Sequence, residues 1–207
     1  MSGGPTRGRT LAWLLSLTAI TLAAQVVDAA DVRMAGPAMA VPAGASLTAL
    51  PDGRLIIFGD GTTSIWNPVG RHWETDMRAN GLTRRSAHTA TLDGAGRLVF
   101  TGGLDAAGYR GRQNALNSST VWNYRSNTWD AGPGLLEPRV AHAAVALKSH
   151  EILVTGGSSS ADGDTPVAPM LASVELLGEK TTVKVAPMAA ARALHAALLL
   201  PDGRVLV

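Results

Sequence analysis

The chain has 207 residues, of which 46% are hydrophobic and 16% charged, and its formal net charge is +2. This profile excludes a wholly disordered chain, and no basic stripe favours a nucleic-acid partner. The lack of cysteine excludes disulfides and Cys-ligated zinc. The 23 glycines and 11 prolines are typical of many short strands joined by turns, which predicts an all-β fold.

Residues 1–29 have the three zones of a secretory signal peptide. Two arginines precede an apolar segment over 11–24, and small residues then lead to a cleavage site after Ala29. The apolar segment is shorter than the roughly 20 residues that a membrane-spanning helix needs. An uncleaved membrane anchor is the alternative. We predict export, with a short linker over 30–40 and a secreted or periplasmic location without a stable membrane span.

Four segments of the remaining chain share one plan, in which an apolar strand, a turn and a second apolar strand follow each other. They cover 46–60, 88–103, 142–157 and 195–207. Asp-Gly pairs at Asp52, Asp93 and Asp202 mark three of the turns, and the favoured hairpin turns require the positive φ that glycine tolerates. In the third segment Lys148-Ser149-His150 replaces this pair. Each segment therefore predicts a β-hairpin.

A second hairpin follows each of the first three. Trp66 and Trp73 lie seven residues apart around one turn, and Trp122 and Trp129 repeat this spacing. The third copy, over 174–188, has lost both tryptophans. Two hairpins in a repeat of about 50 residues make four antiparallel strands, which is one blade of a β-propeller. We interpret the tryptophans as packing residues between blades, with stacking on sugar rings as the alternative.

The Gly-Gly pairs, the spaced tryptophans and the recurrent Arg-x-x-His resemble Kelch repeats over roughly 41–207. The long repeat is also similar to the propeller domain of the galactose oxidase family. This resemblance implies a Kelch-type β-propeller with about three blades and the first hairpin of a fourth. Because propellers close with about 4–8 blades, we expect an incomplete, N-terminal fragment of a propeller. Pairing of two chains is the alternative.

The Arg-x-x-His motif recurs in three copies, and the same phase in each repeat favours a structural role. Arginine supplies donors for carbonyl groups at strand ends, and histidine both donates and accepts. We therefore predict hydrogen bonds between blades, no catalytic residue, no metal site and no cofactor. Convergence of the histidines on a metal in the central channel is the alternative. The residues are Arg85, His88, Arg139, His142, Arg192 and His195.

Two long connections between the second and third strands of a blade, over 103–119 and 157–172, are the candidate binding loops. The first carries planar donors and an aromatic ring, which suit a polyol, a sugar acid or a peptide backbone. A carbohydrate or protein ligand is therefore predicted, and a flexible solvated insertion is the alternative. Asp162 and Asp164 fall short of a calcium site. The tentative ligand-binding residues are Tyr109, Arg110, Arg112, Gln113 and Asn114.

Two enzymatic interpretations follow from the resemblance. A galactose oxidase relative implies a copper-radical oxidase, whose site needs a tyrosine cross-linked to a cysteine, yet this chain has no cysteine and only Tyr109 and Tyr124. Periplasmic sugar-acid epimerases also use Kelch-like propellers. The sequence favours a binding module for the chain as it stands.

Overall fold

The computed structural model describes residues 41–75, 84–105, 112–162 and 165–207, so the predicted leader and linker lie outside it. Within these ranges the chain forms β-strands and no helix. No helix in the described part is therefore long and apolar enough to cross a membrane. The all-β class predicted from the composition is confirmed.

The strands are short, as the spacing of turn residues predicts. In chain order they are β1 (Ser46–Ala49), β2 (Leu55–Gly59), β3 (Thr62–Asn67), β4 (His72–Thr75), β5 (Arg85–Ser86), β6 (Thr89–Leu92), β7 (Arg97–Thr101), β8 (Leu104–Asp105), β9 (Arg112–Asn114), β10 (Ser119–Asn123), β11 (Thr128–Ala131), β12 (Ala143–Ala146), β13 (Ile152–Thr155), β14 (Ser158–Asp162), β15 (Thr165–Met170), β16 (Val174–Leu177), β17 (Thr182–Val185), β18 (Leu198–Leu199) and β19 (Val205–Leu206).

Three antiparallel sheets of four strands follow one plan. The first sheet has the order β1-β2-β3-β4, the second β6-β7-β10-β11 and the third β12-β13-β16-β17. The hairpin β18-β19 repeats the start of that plan. The first strands lie side by side, since β1 contacts β6, β6 contacts β12 and β12 contacts β18. Each predicted pair of hairpins is therefore one four-stranded sheet.

The turn between the first two strands of each repeat has one conformation, whatever residue occupies it. In the first sheet the Gly53 N–H donates to the Leu50 carbonyl at 3.0 Å, and φ at Gly53 is +86°. In the third sheet the His150 N–H donates to the Leu147 carbonyl at 3.1 Å, and φ at His150 is +72°. His150 therefore adopts a left-handed conformation that costs a residue with a Cβ about 1–2 kcal/mol.

Aromatic side chains fill the space between the first and second sheets. Trp122 pairs with Trp129 across β10 and β11, and their ring centroids are 5.7 Å apart. Phe58 of the first sheet lies 4.4 Å from Phe100 of the second, and both rings lie 5.6 Å from Trp129. Trp122, Trp129 and the two phenylalanines form one core because side chains at paired positions point to one face of the sheet. Trp66 pairs with Trp73 in the first sheet in the same way, at 5.4 Å, but on the opposite face from Ile65 and outside this core.

The second and third sheets pack through smaller side chains. Val99 of the second sheet joins Ile152, Val154 and Leu177 of the third in a second buried cluster. Aliphatic residues here take the place of the tryptophans that the third repeat lacks. The two junctions therefore have the same strand geometry with different core chemistry.

Candidate functional site

The two long connections are partly ordered into strands, which the sequence did not indicate. Strand β14, from the connection of the third sheet, pairs on one side with β15 and on the other with β9, from the connection of the second sheet. In this register Asp162 lies opposite Arg112, and Ser160 lies opposite Asn114. We call the surface formed by β8, β9, β14 and β15 the connection face.

A small core of its own supports the connection face. Leu104, Ala115, Val140 and Ala161 are buried together, and Ala87 and Ala141 pack against them. Such satellite clusters under long connections hold them against the main sheets. The described parts of both connections are therefore packed structure.

Backbone pairing attaches the connection face to the start of each sheet. Ser86 pairs with Leu104 between β5 and β8. In the next repeat Val140 and Ser158 exchange both backbone hydrogen bonds, at 2.8 and 2.9 Å. The two connections therefore begin at equivalent, fixed positions before they diverge.

Of the five predicted ligand-binding residues, the structure describes three, and all three lie on β9 at the edge of this surface. Tyr109 and Arg110 lie outside the described residues. The backbone of Arg112 and Gln113 forms part of β9. The side chain of Asn114, at the end of that strand, is exposed.

The predicted pair of aspartates is divided in the same way. Asp162 is exposed at the end of β14, and Asp164 lies outside the described residues. In the described part, no group of three or more His, Cys, Asp or Glu side chains is placed to hold a metal ion.

Arg85 is a fully buried link within the second sheet. Its Nη1 donates to the carbonyls of Gly102 at 2.8 Å and Ser118 at 2.9 Å, and Nη2 donates to Thr120 Oγ1 at 3.2 Å. Burial lowers the pKa of Arg85 to about 10, so the guanidinium remains charged at neutral pH. Arg85 thus joins the chain before β6 to the second and third strands of the same sheet.

Arg139 has the same role in the third sheet, with a carboxylate added. Its Nη1 donates to the Gly156 carbonyl at 2.7 Å, and its Nη2 donates to Glu175. Both side chains of this ion pair are fully buried. Glu175 also accepts from the backbone N–H groups of Leu136 and Glu137. The arginines therefore act within a sheet, whereas we expected them to bond between neighbouring sheets.

The histidines of the motif link neighbouring sheets. The Nε2 atom lies 2.8 Å from Ser46 Oγ for His88, 2.9 Å from Thr89 Oγ1 for His142, and 2.8 Å from Thr155 Oγ1 for His195. Each contact runs from one repeat to the preceding one. Within the described residues, the Nδ1 atoms of all three rings are buried without a hydrogen-bond partner.

The histidine rings are neutral in the folded chain. Burial, reinforced by nearby arginines, lowers the pKa of His88 and His142 to about 3. Burial also lowers the pKa of His195. A neutral imidazole at each junction fits a structural hydrogen bond to a hydroxyl group.

The Gly-Gly pair is required because the atoms around it leave no room for a Cβ at either position. A Cβ on Gly102 would lie 2.5 Å from the Arg139 carbonyl oxygen and 2.7 Å from Cε1 of His142. A Cβ on Gly103 would lie 2.4 Å from the Ser86 carbonyl oxygen. The sequence shows that the pair recurs, but the contacts that require it arise only between the assembled repeats.

Comparison with known proteins finds structures of similar fold but does not assign the chain to a family. No protein-family model matches the sequence, and no curated protein matches it. The chain is similar to 141 chains of solved structures. One of these is titled "Structure of YjhT", with a TM-score of 0.60 and 9% sequence identity. The similarity covers 78% of this chain and 63% of that one, so this chain spans less than two thirds of its length.

Proposed function

We propose that the chain is part of an exported, Kelch-type β-propeller that binds a carbohydrate or a protein through the connection face. Three four-stranded sheets of one plan, with their first strands side by side, support the architecture. The His–hydroxyl contact that recurs at each junction supports repetition around an axis.

The pairing of β9 with β14 carries the functional proposal. Two repeats contribute their longest connections, and the chain joins them into one sheet over a separate core. A ligand on this surface would contact two repeats at once, with Asn114 and Asp162 exposed along the joined edge. Binding residues are commonly presented on connections held by a rigid scaffold, and this arrangement meets that condition.

The motif histidines support binding over catalysis. Each of the three rings contacts a hydroxyl group of the preceding repeat, which lies on its first strand for His88 and His142 and on its second strand for His195. A group that makes such a contact at every junction serves the scaffold, and the connections differ far more between repeats. The ligand specificity of the protein therefore belongs to the connections.

The binding proposal is tested with the full chain and immobilised polysaccharides. Polygalacturonate offers carboxylates and hydroxyls, and dextran is its neutral counterpart. We expect retention on one of these and its loss in the double variant Tyr109→Ala/Arg112→Ala. The control variant Arg71→Ala/Lys180→Ala changes exposed cations in turns at the opposite end of the sheets and should bind as the parent does. Equal binding by both variants would refute the connection face as the site, and no retention on either polysaccharide would refute a carbohydrate ligand.

The export proposal has its own experiment. Expression in a bacterial host, followed by N-terminal sequencing of the product outside the cytoplasm, should give a chain that begins at Ala30. A product that retains residues 1–29 would contradict cleavage.

A further inference from the structure

A cleft between the first and second sheets lies at the end opposite the connection face. It encloses about 510 Å³, within the range of small-molecule sites. The first sheet and the turn before β2 line it with Asp52, Arg54, Ile65 and Glu74, and the second sheet and the turn after β10 with Trp122, Tyr124, Arg125 and Asn127. It sits where turns join first to second and third to fourth strands, whereas the long connections join second to third strands.

Tyr124 is the central residue of the cleft. Only 7% of its surface is exposed, and two guanidinium groups lie over its ring, with Cζ of Arg54 at 5.9 Å and Cζ of Arg125 at 5.5 Å from the ring centroid. Its hydroxyl is not one of the buried polar atoms that lack a partner in the described part of the chain, so it is not sealed from solvent. Because Tyr124 also lines the cleft, this hydroxyl can donate to a ligand there.

The two arginines differ in how their charge is used. Arg54 donates to the Asp52 carboxylate through Nε at 2.9 Å and Nη2 at 2.8 Å, so its charge is matched within the chain. Arg125 is exposed and has no carboxylate within ion-pair distance among the described residues. The charge of Arg125 is therefore available to an anion.

The orientation of Asn127 adds further donors. Its Oδ1 accepts a hydrogen bond from Trp122 Nε1 at 3.1 Å, which directs the remaining amide N–H groups away from the indole. On the first sheet, Glu74 is about half exposed and supplies a carboxylate that can accept from hydroxyl groups. The donors that the chain leaves unmatched thus lie on the second sheet, and the carboxylates of the cleft lie on the first.

We propose that this cleft binds a small hydroxylated carboxylate of the size of a sugar acid. The carboxylate of the ligand would receive hydrogen bonds from Arg125, Asn127 and the Tyr124 hydroxyl, and its own hydroxyls would donate to Glu74 and Asp52. Guanidinium groups suit carboxylates because their hydrogen bonds are charge-assisted. The site is separate from the connection face and does not depend on the function proposed for that face.

The test is a calorimetric titration of the full chain with sodium D-glucuronate, with D-glucose as the matched neutral probe. We expect saturable binding of glucuronate and at least about tenfold weaker binding of glucose, because the charge-assisted hydrogen bonds are lost. Arg125→Gln and Tyr124→Phe should each weaken glucuronate binding by about tenfold, on the same ground.

Three controls test whether glucuronate binds in this cleft. Arg71→Gln, at an exposed arginine in the corresponding turn of the first sheet, should bind glucuronate as the parent does. Tyr109→Ala/Arg112→Ala should also leave this binding unchanged, whatever its effect on the connection face. Unchanged thermal unfolding of Tyr124→Phe would show that the variant is folded. No saturable binding of glucuronate, equal affinity for glucose, or equal losses in Arg71→Gln and Arg125→Gln would each overturn the proposal.

Discussion

Substitution of Gly102 by alanine measures how strictly the junction between the second and third sheets is packed. At φ +58° the alanine Cβ would be 2.5 Å from a backbone carbonyl oxygen of Arg139 and 2.7 Å from the ring of His142. The left-handed conformation costs about 1–2 kcal/mol, and the forced shift of neighbouring atoms about 1–3 kcal/mol more. We expect the free energy of unfolding to fall by about 2–5 kcal/mol.

Gly53→Ala is the matched control for this prediction. Its φ is +86°, but the added Cβ would meet only Pro68 Cγ at 3.8 Å, an ordinary contact distance. The control should therefore cost the conformational part alone, about 1–2 kcal/mol. Urea unfolding followed by tryptophan fluorescence measures both, since Trp122 is fully buried in the core between the first and second sheets and becomes exposed when the chain unfolds. If Gly102→Ala destabilises the chain no more than Gly53→Ala, the close approach of His142 does not explain the Gly-Gly pair.

Three further predictions concern buried charge, pH and turn conformation. Glu175→Gln should destabilise the chain by about 3–5 kcal/mol in urea unfolding, because it leaves the buried Arg139 guanidinium without its counter-charge. The control Glu137→Gln removes a partly exposed ion pair and should cost less than about 1 kcal/mol. Similar losses of stability in the two variants would contradict the role of burial. The pKa of His88 and His142 is about 3 in the folded chain and 6.5 ordinarily, so between these values the unfolded chain binds more protons than the folded chain. The free energy of unfolding should therefore fall from pH 6.5 to pH 3 by up to about 1.4 kcal/mol per pH unit for each ring. The variant His142→Gln should show a shallower dependence across that window, and an unchanged slope would count against a buried neutral ring. His150→Gly should stabilise the third sheet by up to about 1 kcal/mol in thermal unfolding, since it removes left-handed strain at φ +72°, and a lower unfolding temperature would show that the imidazole itself contributes more than the strain costs.

The sequence predicts the hairpin turns and the tryptophan pairs correctly because the interactions that cause them act between residues close together in the chain. Asp-Gly at Asp52 and Asp202 predicted hairpin turns, and the structure has those turns with glycine at positive φ. Spacing of seven residues predicted that Trp66 would face Trp73 across a hairpin, and the two are paired in the register of β3 and β4.

The sequence does not predict which residues of neighbouring repeats contact each other. The sequence shows that the Arg-x-x-His motif of Arg85 and His88 recurs at the same position of the repeat. It does not show that the arginine side chain forms hydrogen bonds within its own sheet, whereas the histidine ring forms a hydrogen bond with the preceding sheet. The long connections carried no alternating pattern that would predict strands, and their pairing follows from their positions on neighbouring sheets. The cleft around Tyr124 is likewise formed by turns from two repeats.

The sequence by itself therefore determined the all-β class, the repeat and the hairpins, because φ preferences, turn hydrogen bonds and the alternation of side chains act over a few neighbouring residues. Only the tertiary structure decided which buried groups meet, which charges are matched and which donors remain open to a ligand. Those properties depend on distances and burial between sheets, and such distances exist only after the repeats have packed against one another.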